Sequence, residues 1–238
     1  MKEKYEDHLK RRILILIIVS LIAGLLSGCM GNSIEKRKAK AKELLEKEYN
    51  ESFTVTDYIE RKIGEDFFRV TAYADNYPNI IFSASVDVYG KGISDSYGAR
   101  RICDTISKYV KSKLSYLNRD CYVFSRSLIE EMYVENPSVG IEELKSEMQD
   151  RTVDIFVLIP EEANKSIVIN ESMFADLASE FDYMAGFMRA YLVNDELLNE
   201  IQTHLNKNDK LSYELNKELI KLDGYEYYYK NGVLTRAE

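Results

Sequence analysis

Three consecutive runs between positions 53 and 88 alternate apolar and polar residues with period two. In the first, Phe53, Val55 and Ile59 alternate with Thr54, Thr56 and Tyr58. In the second, Phe68, Val70, Ala72 and Ala74 alternate with Phe67, Arg69, Thr71 and Tyr73. In the third, Phe82, Ala84, Val86 and Val88 alternate with Ser83, Ser85 and Asp87. That periodicity belongs to strands with one face buried. The links are Gly64-Glu65-Asp66 and Asp75-Asn76-Tyr77-Pro78-Asn79, too short for a parallel crossover. The runs therefore predict an antiparallel meander.

Helical periodicity flanks the meander. Ile34, Ala41, Leu44, Leu45 and Tyr49 fall on one face of a helix predicted over Ile34–Tyr49. After Gly90-Lys91-Gly92, a helix over Ser96–Leu117 carries Ile102, Ile106, Tyr109, Val110, Leu114 and Leu117 as its apolar stripe. Residues 34–118 read as a helix-meander-helix unit, with one sheet face packed on helices and the other wetter.

Residues 119–238 form a less regular mixed α/β part. Strands are predicted at Cys121–Ser125, Val153–Ile159, Ser166–Ile169 and Leu219–Leu222, with Val153–Ile159 central in a sheet. Helices are predicted from Ser138 through Met148, over Met173–Tyr191 and over Asp195–Leu205. The chain closes with strands Tyr225–Lys230 and Val233–Arg236 around the hairpin signal Asn231-Gly232. The fold class expected is α+β. One continuous sheet is expected, with a second subdomain over 119–238 as the alternative.

The N-terminus carries a different signal. Lys2, Lys4, Lys10, Arg11 and Arg12 precede an apolar run from Ile13 to Leu26 broken only by Ser20. As a helix the run spans about 21 Å, short of the roughly 30 Å hydrocarbon core, so an uncleaved membrane helix is the weaker alternative. At its exit, Leu26-Ser27-Gly28-Cys29 resembles the lipobox of bacterial lipoproteins. The resemblance implies diacylglyceryl transfer to Cys29 and cleavage before it, so residues 1–28 are the signal peptide. It further implies that residues 29–33 are a short lipid-anchored tether and that the protein sits on the extracytoplasmic face of the cell membrane. The two acyl chains of such a diacylglycerol, palmitate-like in length, hold a protein stably where one chain is marginal. Abundant Tyr, Ile, Lys and Asn with no Trp are the bias of an AT-rich genome, and together with the lipobox resemblance they suggest a Gram-positive source.

Cleavage would remove five of the 32 basic and three of the 40 acidic residues, leaving 27 against 37. A chain that acidic has no electrostatic drive toward nucleic acid. Lys36, Arg37, Lys38, Lys40 and Lys42 follow the tether closely. They could meet anionic head groups, or form a solvated helix face balanced by Glu43, Glu46 and Glu48. Cys103 and Cys121 are expected as two buried thiols, because the intervening helix would hold them about 20 Å apart.

Few residues point to a reaction. His204 is the one histidine after Cys29 and sits near a helix end. Cys103 lies beside Arg100, Arg101 and Asp104, where a lowered pKa could make a nucleophile but core packing is the simpler role. The pairs Glu130-Glu131, Glu142-Glu143 and Glu161-Glu162 are adjacent in sequence and so face different ways. Asp87, Asp95 and Asp104 around the Gly90-Lys91-Gly92 bend match a calcium loop poorly. Tyr225, Tyr227 and Tyr229 share one strand face, which either holds a ligand or packs beneath a helix.

The expectation is a non-catalytic binding or accessory lipoprotein of the cell envelope, held by its lipid on Cys29 and partnered by an envelope protein or wall component. No cofactor or metal is expected. A cell-wall or peptide hydrolase with an unrecognised site is the alternative, and a pocket joining buried carboxylates, or a carboxylate with His204, would favour it. A solute-binding subunit fits the meander poorly, and a signalling role for the cleaved peptide is untouched by these residues.

Overall fold

The computed structural model describes residues 33–114, 121–127, 151–161, 171–208, 211–222 and 224–237, with 140, 144, 148 and 149 between them. The fold is α+β, as expected, but the described residues form two sheets and not one. The four-stranded sheet has the order β1 (Phe53–Ile59), β2 (Phe67–Ala74), β3 (Phe82–Asp87), β4 (Ile93–Asp95) and is antiparallel throughout. The five-stranded sheet has the order β5 (Tyr122–Ser127), β6 (Arg151–Pro160), β7 (Met184–Val193), β8 (Gly224–Lys230), β9 (Val233–Arg236), with β6 and β7 parallel.

Helix α1, over residues 33–49, closes one face of the smaller sheet. Ala41 and Leu45 bury completely against Phe68, Val70, Ala72, Phe82, Ala84 and Val86. The inward residues of β2 and β3 are the ones the alternation selects. Strand β1 departs from it. A bulge between Val55 and Asp57 shifts the register, so Tyr58 turns inward beside Phe68, ring centroids 5.6 Å apart. Ile59 turns out and is 48% exposed. One extra residue reverses parity beyond it, which strict alternation cannot reveal. Strand β4 was also not expected. It is three residues long and carries little periodicity.

Helix α2 (Tyr97–Lys113) joins the two sheets. Its first residue, Tyr97, stands edge-on to Tyr49 and Phe53 in the smaller core. Ile102, Ile106, Val110 and the following Leu114 bury in the larger core. Strand β5 returns along α2, and Ser125 Oγ donates to the Cys103 carbonyl at 2.7 Å. Cys121 lies four residues before Ser125, about 13 Å along an extended strand. Both cysteines are buried thiols and do not form a disulfide.

Helix α3 (Ser172–Glu180) makes the crossover between parallel β6 and β7. The helix expected over Met173–Tyr191 therefore ends at Glu180, and its second half is strand β7. The apolar positions Met184, Phe187, Met188 and Tyr191 satisfy helical spacing. Met184, Met188 and Ala190 equally satisfy period two, and it is these that bury toward α2 and α3. Helix α4 (Asp195–Leu205) matches expectation, with Asn194 accepting the N–H of Leu197 at 2.8 Å. Helix α5 (Tyr213–Ile220) replaces the strand expected at Leu219–Leu222. Ser212 caps it, and Leu215 and Leu219, one turn apart, bury under it. The Asn231-Gly232 hairpin forms as expected, with φ of 50° and 74° at its two residues. Of the helix predicted from Ser138 through Met148, Gly140, Leu144 and Met148 are described, and the N–H groups of Leu144 and Met148 donate four residues back, to the carbonyls of Gly140 at 3.2 Å and Leu144 at 2.9 Å, with helical spacing. The strand predicted at Ser166–Ile169 lies outside the described residues.

Candidate functional site

The larger sheet packs α2 and α3 on one face and α4 and α5 on the other. The second helical pair covers only part of its face. Phe156, Leu158, Tyr191 and Val193 lie under α4 and α5. Beyond Phe156 the face carries a transverse row of charges, one from each of four strands: Arg126 of β5, Asp154 of β6, Arg189 of β7 and Glu226 of β8. The strand register dictates the row, since Arg126 pairs with Asp154 and Arg189 with Glu226.

Asp154 is 2% exposed and is the hub. Its Oδ2 accepts from Arg126 Nη2 at 3.0 Å and from Arg189 Nη1 at 2.9 Å. Arg189 Nη2 reaches Glu226 Oε1 at 2.9 Å. Burial opposes the Arg189 charge, but Glu226 and Asp154 together raise its pKa and hold it protonated. The cause of the hub lies in the backbone. The β6–β7 register pairs Thr152 with Ala185 and Ile155 with Met188, but nothing through Val153 and Asp154. Side chains fill that lapse: Asp154 Oδ1 accepts the N–H of Phe187 at 3.2 Å, and the Tyr229 hydroxyl donates to the Val153 carbonyl at 2.7 Å. Buried backbone groups require such partners. Gly186 sits in the lapse with φ of +150°, and a Cβ there would stand 1.9 Å from the Val153 oxygen.

A groove of about 300 Å³ runs along the charged row. Arg126, Arg189 and Glu226 form one side; Phe156 and Tyr191 lie on its floor, with Leu219, Ile220 and Leu222 on the other side. Arg126 and Arg189 lie 5.5 and 5.3 Å from the Phe156 ring centre. The Arg126 side chain is 41% exposed, and its buried Nε finds no acceptor among the described residues. A planar guanidinium fixed at one end by Asp154, with donors left over, suits a carboxylate or phosphate. The apolar wall suits a hydrocarbon portion next to that anion.

The residues singled out in the sequence lie elsewhere. Tyr227 and Tyr229 are buried in the core beneath α3, and Tyr225 packs against it partly buried. That face points inward and is not a ligand surface; Tyr228, on the opposite side, is the exposed one. Burial pushes the Cys103 thiol pKa up, against the opposing charge of Arg100, which is wrong for a nucleophile. Asp87 accepts the N–H groups of Tyr89, Lys91 and Gly92 as a turn residue. His204 and Glu200 line a shallow surface depression on α4. Glu161 is exposed, whereas Cys29, Glu130-Glu131, Glu142-Glu143 and Glu162 lie outside the described residues. Among the described residues no group of three or more His, Cys, Asp or Glu could hold a metal.

Most of the α1 basic cluster is engaged within the protein. Arg37 donates to the Tyr58 hydroxyl, and Lys38 reaches the Thr56 carbonyl at 2.8 Å. Lys40 pairs with Glu43 at 2.6 Å and Lys42 with Glu46 at 3.6 Å. Lys36 is exposed.

Sequence reading missed Arg126, Asp154, Arg189 and Glu226. A signal existed: Asp154 is the one charge inside Val153–Ile159, and Arg189 the one charge inside Met184–Val193. A lone charge in a buried strand needs a partner. Naming the partner requires the register.

No protein-family model matches the sequence, and neither does any curated protein. Among solved structures the chain is similar to the crystal structure of a DUF5037 family protein from Ruminococcus gnavus ATCC 29149. The TM-score is 0.60 at 13% identity, over 83% of this chain and 93% of that one. At that identity the likeness establishes the α+β fold and carries no function with it.

Proposed function

We propose that this chain is a lipid-anchored protein of the extracytoplasmic face of a bacterial membrane that works by binding and not by catalysis. Its ligand would be an envelope component, a peptide or wall fragment, presenting a carboxylate beside an apolar group. The observation that supports this is the groove with Arg126 at its edge. A guanidinium oriented from below by buried Asp154 faces an apolar wall. Asp154 itself is committed to two arginines and a backbone N–H, so it is not a general base. The lipobox resemblance at Leu26-Ser27-Gly28-Cys29 supports the location.

Two measurements test the two halves. Wall-derived peptides bearing free carboxylates should raise the melting temperature of the wild-type protein and not that of Arg126→Met, with the unliganded proteins melting within about 4 °C of each other. Equal responses from both proteins would end the groove reading. Cys29→Ser should accumulate as an unacylated precursor, and maturation of that variant to the wild-type mass would end the anchor reading.

A further inference from the structure

We propose that one end of the four-stranded sheet is a membrane-docking surface for an anionic bilayer, with Ile63 and Tyr89 as its inserting tips. The proposal rests on the anchored location proposed above and adds an orientation to it.

Chain geometry comes first. Helix α1 is described from Ser33 onward, four residues after Cys29. Four extended residues span at most about 14 Å. Ser33 and Lys36 line one cavity with Val88, Tyr89 and Gly90, so this turn of α1 lies beside the β3–β4 turn. The β1–β2 turn is at the same end, because the Val88 N–H donates to the Asp66 carbonyl at 2.9 Å. Both turns are therefore at the end of the sheet where the chain arrives from Cys29.

These turns carry side chains that a solvated turn does not need. Ile63, at the tip of the β1–β2 turn, is fully exposed, and Tyr89 is 81% exposed. Exposed lysines flank them: Lys62 beside Ile63, and Lys91 with its ammonium 6.0 Å from the Tyr89 ring centre. Lys36 is exposed on α1, one turn from Ser33. An apolar or aromatic tip between basic residues suits the interface of a bilayer, where tyrosine sits at head-group depth and lysine meets phosphate. Glu35, Glu60 and Asp66 are exposed at the same end and oppose the attraction. Glu65 and Asp87 are occupied, the first by Arg69 and the Lys62 N–H, the second by the N–H groups of its own turn. Insertion of the two tips, with lysine contacts beside them, is thus the driving element.

The opposite end of the sheet faces the rest of the molecule. In the β2–β3 turn, Tyr77 lies under the Arg101 guanidinium at 3.2 Å, and Ile80 lines a cavity with β5 and α4. Docking by the Ile63 end would therefore hold the five-stranded sheet and its groove away from the lipid.

The protein contains no tryptophan, so single substitutions make depth probes. Full-length Ile63→Trp, Tyr89→Trp and Tyr213→Trp would be reconstituted in vesicles of phosphatidylglycerol with brominated phosphatidylcholine. Tyr213 is exposed on α5 and serves as the distant control. Strong bromine quenching is expected for Ile63→Trp and Tyr89→Trp and not for Tyr213→Trp. It should weaken in a background of Lys36→Gln, Lys62→Gln and Lys91→Gln, where each lost charge lowers partitioning about fivefold. Quenching no greater than at Tyr213→Trp would overturn the docking surface, and undiminished quenching on vesicles of brominated phosphatidylcholine alone would overturn its anionic preference. The mass of the extracted protein reads acylation separately. An acylated protein without quenching defeats docking alone, and a quenched protein without acyl chains defeats the lipid anchor alone.

Discussion

Replacing Asp154 with asparagine removes one negative charge from the centre of the sheet and changes almost nothing else in shape. The wild-type carboxylate is 3% exposed and holds two guanidiniums at 3.0 and 2.9 Å. In Asp154→Asn both arginines lose their buried counter-charge. Arg189 keeps Glu226 but remains 16% exposed beside it. Breaking one partner out of a buried ion pair costs about 3–5 kcal/mol, because the remaining charge stays desolvated. For a chain of this size each kcal/mol moves the melting temperature about 2–4 °C, so a drop of roughly 6–20 °C is expected. Arg126→Met should behave differently. Its side chain is 41% exposed, and an ion pair with one partner that open contributes at most about 1 kcal/mol. Chemical and thermal denaturation of the two variants, and of Asp154→Asn combined with Arg189→Met, would measure the coupling. In-contact residues of this kind couple by about 0.5–3 kcal/mol. If Asp154→Asn unfolded within about 1 kcal/mol of wild type, the carboxylate would not be the hub and the argument for a preorganised Arg126 would go with it.

Asp95 predicts a pH effect. Burial pushes its pKa up to about 6, with Glu48 adding to the rise and the Tyr97 N–H and Tyr49 hydroxyl opposing it. The folded state thus holds the proton more tightly than the unfolded state. Stability tied to this group is full below about pH 4 and is lost as pH rises through about 6, by roughly 3 kcal/mol. Asp95→Asn should accordingly gain stability over wild type at pH 7 and little at pH 4; a constant difference between the two proteins would refute this. Gly186→Ala should fail to fold or melt far below wild type, since its Cβ would stand 1.9 Å from the Val153 oxygen at a φ of +150°; a normal melting curve would disprove that approach. Tyr229→Phe leaves the buried Val153 carbonyl without its hydroxyl donor and should cost about 1–3 kcal/mol, a loss that denaturant titration would resolve.

The meander, α1, α2, α4 and the closing hairpin are legible in the sequence, because each depends on contacts near in the chain. Phe68, Val70, Ala72 and Ala74 sit one strand from their partners, and Asn231-Gly232 needs only its own φ angles. The errors share a different cause. Met184, Phe187, Met188 and Tyr191 fit both a helix and a strand locally; parallel pairing with β6, some thirty residues earlier, makes them a strand. Likewise, alternation places Tyr225, Tyr227 and Tyr229 on one side but cannot say which side. Packing of α3 on that side buries Tyr227 and Tyr229.

What the sequence alone determines here is a set of local periods and a basic then apolar N-terminal stretch with a cysteine at its exit. Those specify the class of fold and the resemblance to an anchored protein. The charged row is decided only by tertiary structure. Arg126, Asp154, Arg189 and Glu226 come from four strands spread over a hundred residues, and no local pattern relates them. They meet because strand register places them side by side, and Asp154 is held because the β6–β7 ladder lapses beside it. The same is true of Ile63 and Tyr89, two turn residues joined at one end of a sheet by the hydrogen bonds of its strands.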